Sequence, residues 1–389
     1  MGWCAIDAAP PALAGWQPHA AIDQPSTTIQ AMRITRNPIV APVRFAALGA
    51  VCALAGCGGG GGGAGPAVTP PPPFTLVALA PASLAGISTT ANAIDATGAA
   101  QGGVRFTNTN DARALLWAGT SASLVDLGPG EIEVVDGGVQ IGFLGSQFAG
   151  AEKAQLWTGT EASRVSLHPA GYLNSLAEGG DATTQTGRAR TLAGDSHAML
   201  WRGTAASFVD LHPANFSSSR CYDGDGNLQV GSGVRVSDGQ QRALLWQDTA
   251  ASVVDLGRGV AFGVAGNVQV GLFELLDAGI LRAHAALWRG TEASRVDLHP
   301  SGFVDSRAFA VSGNRQAGYG ALADGNVHAL VWEGTSGSAV DLHSTTQGYV
   351  VDGAPPRSSF AYGIDAAGNV VGAVRSQAGT DYAVLWLRQ

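Results

Sequence analysis

The sequence predicts an all-β fold assembled from one repeated unit, and three observations lead there. First, Trp117, Trp157, Trp201, Trp246, Trp288, Trp332 and Trp386 mark copies of one segment, HAALWRGTEASRVDLHPSGF at residues 284–303 being the template, at separations of 40, 44, 45, 42, 44 and 54 residues. A fixed period in this range belongs to a solenoid or a propeller. Second, the 55 glycines, with Asn, Asp and Ser, cut the chain into short apolar segments, the pattern of short strands joined by tight turns. Third, each copy reads as four such strands. Together these predict a seven-bladed β-propeller of four-stranded blades over residues 74–389.

Ahead of the repeats stands an export signal rather than a domain. Residues 1–31 carry no helical or strand period, and Met32 is expected to be the true start. Arg33, Arg36 and Arg44 form a positive region, residues 45–55 an apolar stretch, and Leu54-Ala55-Gly56-Cys57 follows, the order of a secretory signal. The apolar stretch is too short to span roughly 30 Å of hydrocarbon. The tetrapeptide resembles the lipobox of bacterial lipoproteins, which implies removal of residues 1–56 and acylation of Cys57. Residues 57–73 then form a tether, glycine-rich and flexible first, polyproline and stiffer after. Gly58 beside the acylated cysteine resembles the outer-membrane sorting pattern, so an outer-membrane lipoprotein, facing the periplasm or the outside, is the expected location. Of the four cysteines, Cys4 and Cys52 fall in removed sequence. Cys221 is left without a partner and is read as a buried, inert thiol.

The sixth copy shows how a blade is built. Residues 306–311 alternate toward Gly313-Asn314, a hairpin signal, and residues 316–321 resume the extended pattern. Residues 328–332 make a third strand, residues 333–337 turn, and residues 338–342 make a fourth. The last copy stops after its third strand, whereas residues 75–81 align with the fourth strand of an interior copy, residues 207–213. The N-terminal strand is thus expected to complete the last blade and close the ring. Seven equivalent tryptophans are expected to pack between blades rather than to bind ligand.

Several repeated positions invite a chemical reading. His168, His212, His299 and His343 end the fourth strand. They lie too far apart to share a metal ion, because sheets pack about 10 Å apart and ligand bonds are about 2 Å, so a role bonding a backbone carbonyl is expected. Asp126, Asp210, Asp255, Asp297 and Asp341 lie on the polar face and are expected to brace the Gly-Thr turn. Tyr172, Phe216, Phe303 and Tyr349 follow in the connections between blades. They form either a stacking rim for a ligand or plugs between blades. Asp223-Gly224-Asp225-Gly226-Asn227 resembles the start of a calcium loop, yet its twelfth position is Val234, not Glu, and a turn is expected. No catalytic motif, metal site or cofactor site is found. Glu131, Glu133 and Asp136 form an acidic group unique to the second copy, residues 274–282 a longer loop, and Pro355-Pro356-Arg357 an interruption.

The segments Gly363-Ile364-Asp365-Ala366-Ala367-Gly368-Asn369-Val370-Val371-Gly372 and His328-Ala329-Leu330-Val331-Trp332-Glu333-Gly334, with Val340-Asp341-Leu342, resemble the bacterial HAF extracellular repeat over residues 74–389. Leu or Met usually replaces the Phe of that repeat here, and Leu-His-Pro its Leu-Gly. The resemblance implies a β-propeller and carries no established active site.

A net charge of −8 excludes a phosphate-tracking groove, so nucleic acid is not an expected partner. The expected function is a monomeric, lipid-anchored binding or structural module of the cell envelope, held to the membrane through Cys57 and offering a site to a glycan or a protein. The alternative is a propeller-type hydrolase or lyase acting on polysaccharide. It would require unlike polar residues, including at least two carboxylates, gathered from several blades.

Overall fold

The computed structural model describes residues 74–108, 111–145, 150–277 and 279–389. The signal region 1–56 and the tether 57–73, with Cys57, lie outside the described residues. Within them the chain is all-β, with short 3-10 turns and no helix long and apolar enough to cross a membrane.

The strands form antiparallel groups of four in chain order. The first group is Ser88–Ile94, Gln101–Asn108, Asp111–Trp117 and Val125–Pro129; the second is Glu131–Asp136, Val139–Leu144, Lys153–Trp157 and Val165–Ser166. Tyr172–Gly180, Gln185–Thr191, Ser196–Trp201 and Val209–Asp210 form the third. Phe216–Asp225, Leu228–Arg235 and Gln241–Gln247 open the fourth, which shares the long strand Val254–Ala265 with the fifth, continued by Val268–Asp277, Ile280–Trp288 and Val296–Asp297. The sixth is Asp305–Ser312, Arg315–Ala321, Val327–Trp332 and Val340–Asp341. Ser358–Ile364, Val370–Arg375 and Asp381–Arg388 make the seventh, where Phe74–Ala78 pairs with Asp381–Arg388 in the register Phe74↔Arg388 to Ala78↔Val384.

The fourth strand is shorter than the alternation suggested, two residues rather than five in the sixth group. The turn before it is a 3-10 turn, Ser336–Ser338, because Ser338 Oγ accepts from Glu333 N at 2.8 Å and donates to the Thr335 carbonyl at 2.6 Å. Ser123, Ser163, Ser207, Ser252 and Ser294 do the same in other groups. Buried Gln316 then ties this turn to the second strand, its Oε1 accepting from Gly334 N at 2.8 Å. These bonds satisfy backbone groups that the turn takes out of the ladder.

Between groups the contact is apolar and close. All seven repeat tryptophans are at most 1% exposed, each contributing roughly 4–6 kcal/mol of gross burial energy. A hydroxyl on the first strand of one group stitches it to the third strand of the group before: Ala154 N to Ser175 Oγ at 3.0 Å, and Ala198 N to Ser219, Ala285 N to Ser306 and Ala329 N to Ser359 at 2.9 Å. Thr89 of the first group receives Ala383 N of the seventh at 3.0 Å, and Ala91, Leu115 and Trp117 share an apolar cluster with Val371, Ala383 and Leu385.

One irregularity recurs in every group. The first strand carries a β-bulge at the same register, leaving Asn92, Glu133, Glu178, Tyr222, Phe262, Phe309 and Tyr362 unpaired. Opposite each bulge the second strand has a glycine. At Gly318 a β-carbon would stand 1.9 Å from the Arg307 carbonyl oxygen, and at Gly103, Gly142, Gly187, Gly231, Gly271 and Gly372 the corresponding distance is 1.8–2.0 Å. The bulge therefore exists only where the facing residue has no side chain. Gly318→Ala is expected to destabilise the protein by about 3 kcal/mol or more. Gly337→Ala, where the added carbon meets nothing within 4 Å, is expected to stay within about 0.5 kcal/mol of the parent. Urea denaturation of the two variants checks the contrast, and equal stabilities would refute this account of the bulge.

Candidate functional site

The seven bulged residues and the residues two positions before them bring unlike chemistry together. Asn92, Glu131, Glu133 and Glu178 come from the first three groups and are 0–9% exposed. Arg220 and Tyr222 follow, and then an aromatic set. Tyr222 meets Phe262 edge-on at 5.2 Å between centroids, Phe262 meets Phe309 at 4.9 Å, and Phe309 meets Tyr362 at 6.1 Å. Tyr319 joins from the second strand of the sixth group, 5.2 Å from Phe309 and 5.6 Å from Phe360. Polar residues thus occupy one side of the cluster and aromatic rings the other.

Arg220 is the joint between the two sides. Its Nε donates to Glu178 Oε2 at 2.6 Å and its Nη2 bonds Oε1, while the guanidinium lies 4.4 Å from the centre of the Tyr222 ring. Burial works against its charge, but Glu178 more than compensates, and its pKa is raised. The Tyr362 phenol is pushed well above its ordinary range by burial and by Asp381, with Glu133 among the further contributing charges. It stays protonated, fully buried, and its hydroxyl has no hydrogen-bond partner among the described residues. The Phe262, Phe309, Phe360 and Tyr362 rings are at most 1% exposed. Arg307 is half-buried, whereas Glu133, Glu178, Tyr222 and Tyr319 are at most 9% exposed.

Of the acidic group noticed in the second copy, Glu131 and Glu133 belong to this cluster. Asp136 does not: it accepts the Ala182 N–H at 2.9 Å in the turn of the next group. The candidate rim residues fall in four separate apolar clusters, Tyr172, Phe216, Phe303 and Tyr349 each packing with a different set. Tyr172 donates to Asp210 at 3.3 Å, Phe303 meets His328 edge-on at 6.2 Å, and burial raises the Tyr349 phenol.

The repeated histidines have a defined task. His299 Nε2 faces the Phe303 carbonyl at 3.1 Å, and a carbonyl can only accept, so this nitrogen carries the proton. Nδ1 then accepts from Ser306 Oγ at 2.8 Å, whose oxygen already receives Ala285 N. His168 and His212 repeat the Nδ1 contact with Ser175 and Ser219 at 2.8 Å, and His343 with Ser359 at 3.1 Å. A second histidine stacks on three of them, His197 on His212 at 4.0 Å, His284 on His299 at 3.8 Å and His328 on His343 at 4.1 Å.

The aspartates do not brace the Gly-Thr turn as expected. Asp210, Asp297 and Asp341 instead bond these stacked histidines at 2.7–2.9 Å, and Asp126 and Asp255 bond Arg113 and Arg242. Each also accepts the backbone N–H two residues on, at 2.8–2.9 Å. The third strand begins with a cation beside the fourth-strand carboxylate, so the partner is across the ladder, and the turn is already closed by serine and glutamine.

The expected turn falls at residues 226–227, while Asp223 and Asp225, at the end of the strand before it, accept backbone N–H groups from Gly180, Val264 and Gly266 of neighbouring groups. Among the described residues no group of three or more His, Cys, Asp or Glu is placed to hold a metal ion. Cys221 is fully buried, its thiol pushed well above the usual range by burial and then by Glu178.

Of the bulge residues, only Glu133 stood out in the sequence. The available signal was Gln-x-Gly in the second strand, at Gln101, Gln140, Gln185, Gln229, Gln269 and Gln316, with Val370 in the last copy.

No family model matches the chain, and no curated protein matches it. Solved structures do. TolB from Acinetobacter baumannii is 11% identical with a TM-score of 0.41, over 75% of this chain and 80% of that one. The β-propeller domain of the Trilobed protease from Pyrococcus furiosus is 9% identical with a TM-score of 0.46, over 77% and 93%. The BP39L lectin from Burkholderia pseudomallei is 11% identical with a TM-score of 0.44, over 77% and 94%.

Two outcomes follow. Arg220→Met leaves Glu178 buried without its counter-ion and is expected to cost about 3–5 kcal/mol, most of it recovered in Arg220→Met/Glu178→Met; chemical denaturation of both variants decides. Burial, followed by Lys153 or the stacked histidine, lowers the pKa of His168, His212, His299 and His343 below the ordinary 6.5. Between the lowered and ordinary values the unfolded chain binds more protons, so stability is full above about pH 6.5 and falls as pH drops through the folded values. Melting temperatures at constant ionic strength from pH 7.5 to 5 should decline, and a rise on acidification would contradict the assignment.

Proposed function

We propose that the chain is a lipid-anchored binding module of the cell envelope, a seven-bladed propeller whose ligand is a saccharide recognised at the inner-strand cluster. Seven groups of four strands, each with the same bulge, support the blade count. Closure by the N-terminal strand is supported by its pairing with Asp381–Arg388 and by the apolar cluster shared between the first and seventh groups. Anchoring at Cys57 and an outer-membrane location rest on the order of basic residues, apolar stretch and Leu54-Ala55-Gly56-Cys57.

The observation that carries the binding reading is the division of the cluster. Sugar rings offer apolar C–H faces to aromatic rings and hydroxyls to carboxylate, amide and guanidinium groups, and this cluster sets Tyr222 and Tyr319 against Asn92, Glu133, Glu178 and Arg307. An enzymatic reading needs a carboxylate pair free to exchange protons, and Glu178 is instead fixed by Arg220. The test is an oligosaccharide array probed with the full chain in detergent. Retention of a saccharide, weakened roughly tenfold or more by Tyr222→Ala, is expected from the loss of a ring contact together with its burial. An array with no retained sugar would remove the proposal. Cys57→Ser should shift the chain from the membrane to the soluble fraction.

A further inference from the structure

We propose that Arg307 reads a carboxylate, so that the saccharide taken by this cluster is an acidic sugar; the inference rests on the saccharide reading above. Arg220 and Arg307 occupy the same register position, two residues before the bulge, in the fourth and sixth groups. They differ in their partners. Arg220 is neutralised by Glu178, whereas Arg307 has no carboxylate partner among the described residues. Among the described residues its one side-chain hydrogen bond is Nη1 to the Tyr319 hydroxyl at 3.3 Å, with the guanidinium carbon 5.8 Å from the centre of that ring. Arg307 is half-buried, and a guanidinium has five N–H donors in a planar fork, of which the Tyr319 bond uses one.

The surroundings set the charge of the group it can take. Phe360 meets Tyr319 edge-on at 5.6 Å between centroids, and the Arg375 guanidinium lies 4.7 Å from the centre of the Phe360 ring. Arg375 is committed to Asp381 through two bonds of 2.7 and 2.8 Å. Arg307 is therefore the cation beside these rings that lacks a carboxylate partner among the described residues, in a chain of net charge −8 with Glu133 and Glu178 in the same cluster. A phosphate monoester, carrying close to two negative charges, would be left partly uncompensated. A single carboxylate matches both the charge and the planar fork. The adjoining Tyr319 hydroxyl, which accepts from Arg307, can donate to a neighbouring sugar oxygen.

Isothermal titration of the full chain in detergent with glucuronate, glucose, glucose 6-sulfate and glucose 6-phosphate tests this directly. Glucuronate is expected to bind at least roughly tenfold more tightly than the other three, as a charge-assisted hydrogen bond requires. Arg307→Gln should reduce glucuronate to the level of glucose, and Arg307→Lys should recover only part of the loss, since a point charge lacks the fork. Arg315→Gln, at the exposed pair with Glu333, should leave glucuronate affinity unchanged. Equal binding of glucose and glucuronate, or an Arg307→Gln variant of undiminished affinity and unaltered melting temperature, overturns the inference and leaves the saccharide reading standing. Tighter binding of the sulfate or phosphate ester overturns the carboxylate assignment. Failure of every sugar, with an acidic peptide bound instead, overturns both.

Discussion

The Arg307 carbonyl oxygen occupies the place where any residue but glycine at position 318 would put its β-carbon, and each of the other six groups repeats that approach. This contact is what lets the first strand bulge. A bulge inserts one residue that faces no partner across the ladder and bends the strand that carries it. Because every group has its bulge at the same register, seven otherwise unrelated side chains are delivered to comparable places. Asn92, two glutamates, two tyrosines and two phenylalanines occupy them. The glycine is uniform and the bulged residue is variable, so scaffold and site are separated within a few residues of one another.

The seams between groups use a different solution. Each buries a tryptophan and leucines, and each must also satisfy the backbone of a third strand approached by the next group. At five of them a serine or threonine hydroxyl takes that N–H, and at His299 the hydroxyl's own proton is donated to Nδ1. The imidazole spans from the hydroxyl to a carbonyl in the connection, so one side chain satisfies groups on two elements. In three groups a second histidine stacks on it and is held by the fourth-strand aspartate; where glycine stands in place of the first histidine, the aspartate holds an arginine instead. The second group shows the coupling by exception. Ser166 replaces the aspartate, and the facing cation, Lys153, donates to His168 Nε2 at 3.0 Å and to the Leu173 carbonyl at 2.9 Å, so that in this group Nδ1 carries the proton and donates to Ser175 Oγ.

The inner cluster departs from the seams in its economy of charge. Arg220 with Glu178 and Arg375 with Asp381 are closed pairs whose attraction offsets the cost of burying them. They add rigidity and remove those carboxylates from proton chemistry. The aromatic rings behind them pack on one another and exclude solvent.

Much of the scaffold was legible in the sequence because repetition amplifies a weak signal. A four-strand reading of a single copy would be ambiguous, but seven tryptophans at near-constant spacing admit few folds. The alignment of residues 75–81 on an outer strand likewise placed Phe74–Ala78 beside the last copy. The fourth strand was read too long, since alternation cannot reveal that Ser338 closes a 3-10 turn inside it. The aspartates' partners were misplaced because the residue thirteen positions earlier is a neighbour only across the ladder. The cluster was the least legible part. Glu131 and Glu133 stood out as departures, yet Glu178, Arg220, Tyr222 and Arg307 look ordinary in one dimension. Local patterning and period thus determined the repeat, the fold class and the edge that the N-terminal strand covers. The inner-strand assembly was decided only in three dimensions, because a bulge depends on the absence of a β-carbon in the facing strand, and contact between successive groups depends on residues some forty positions apart.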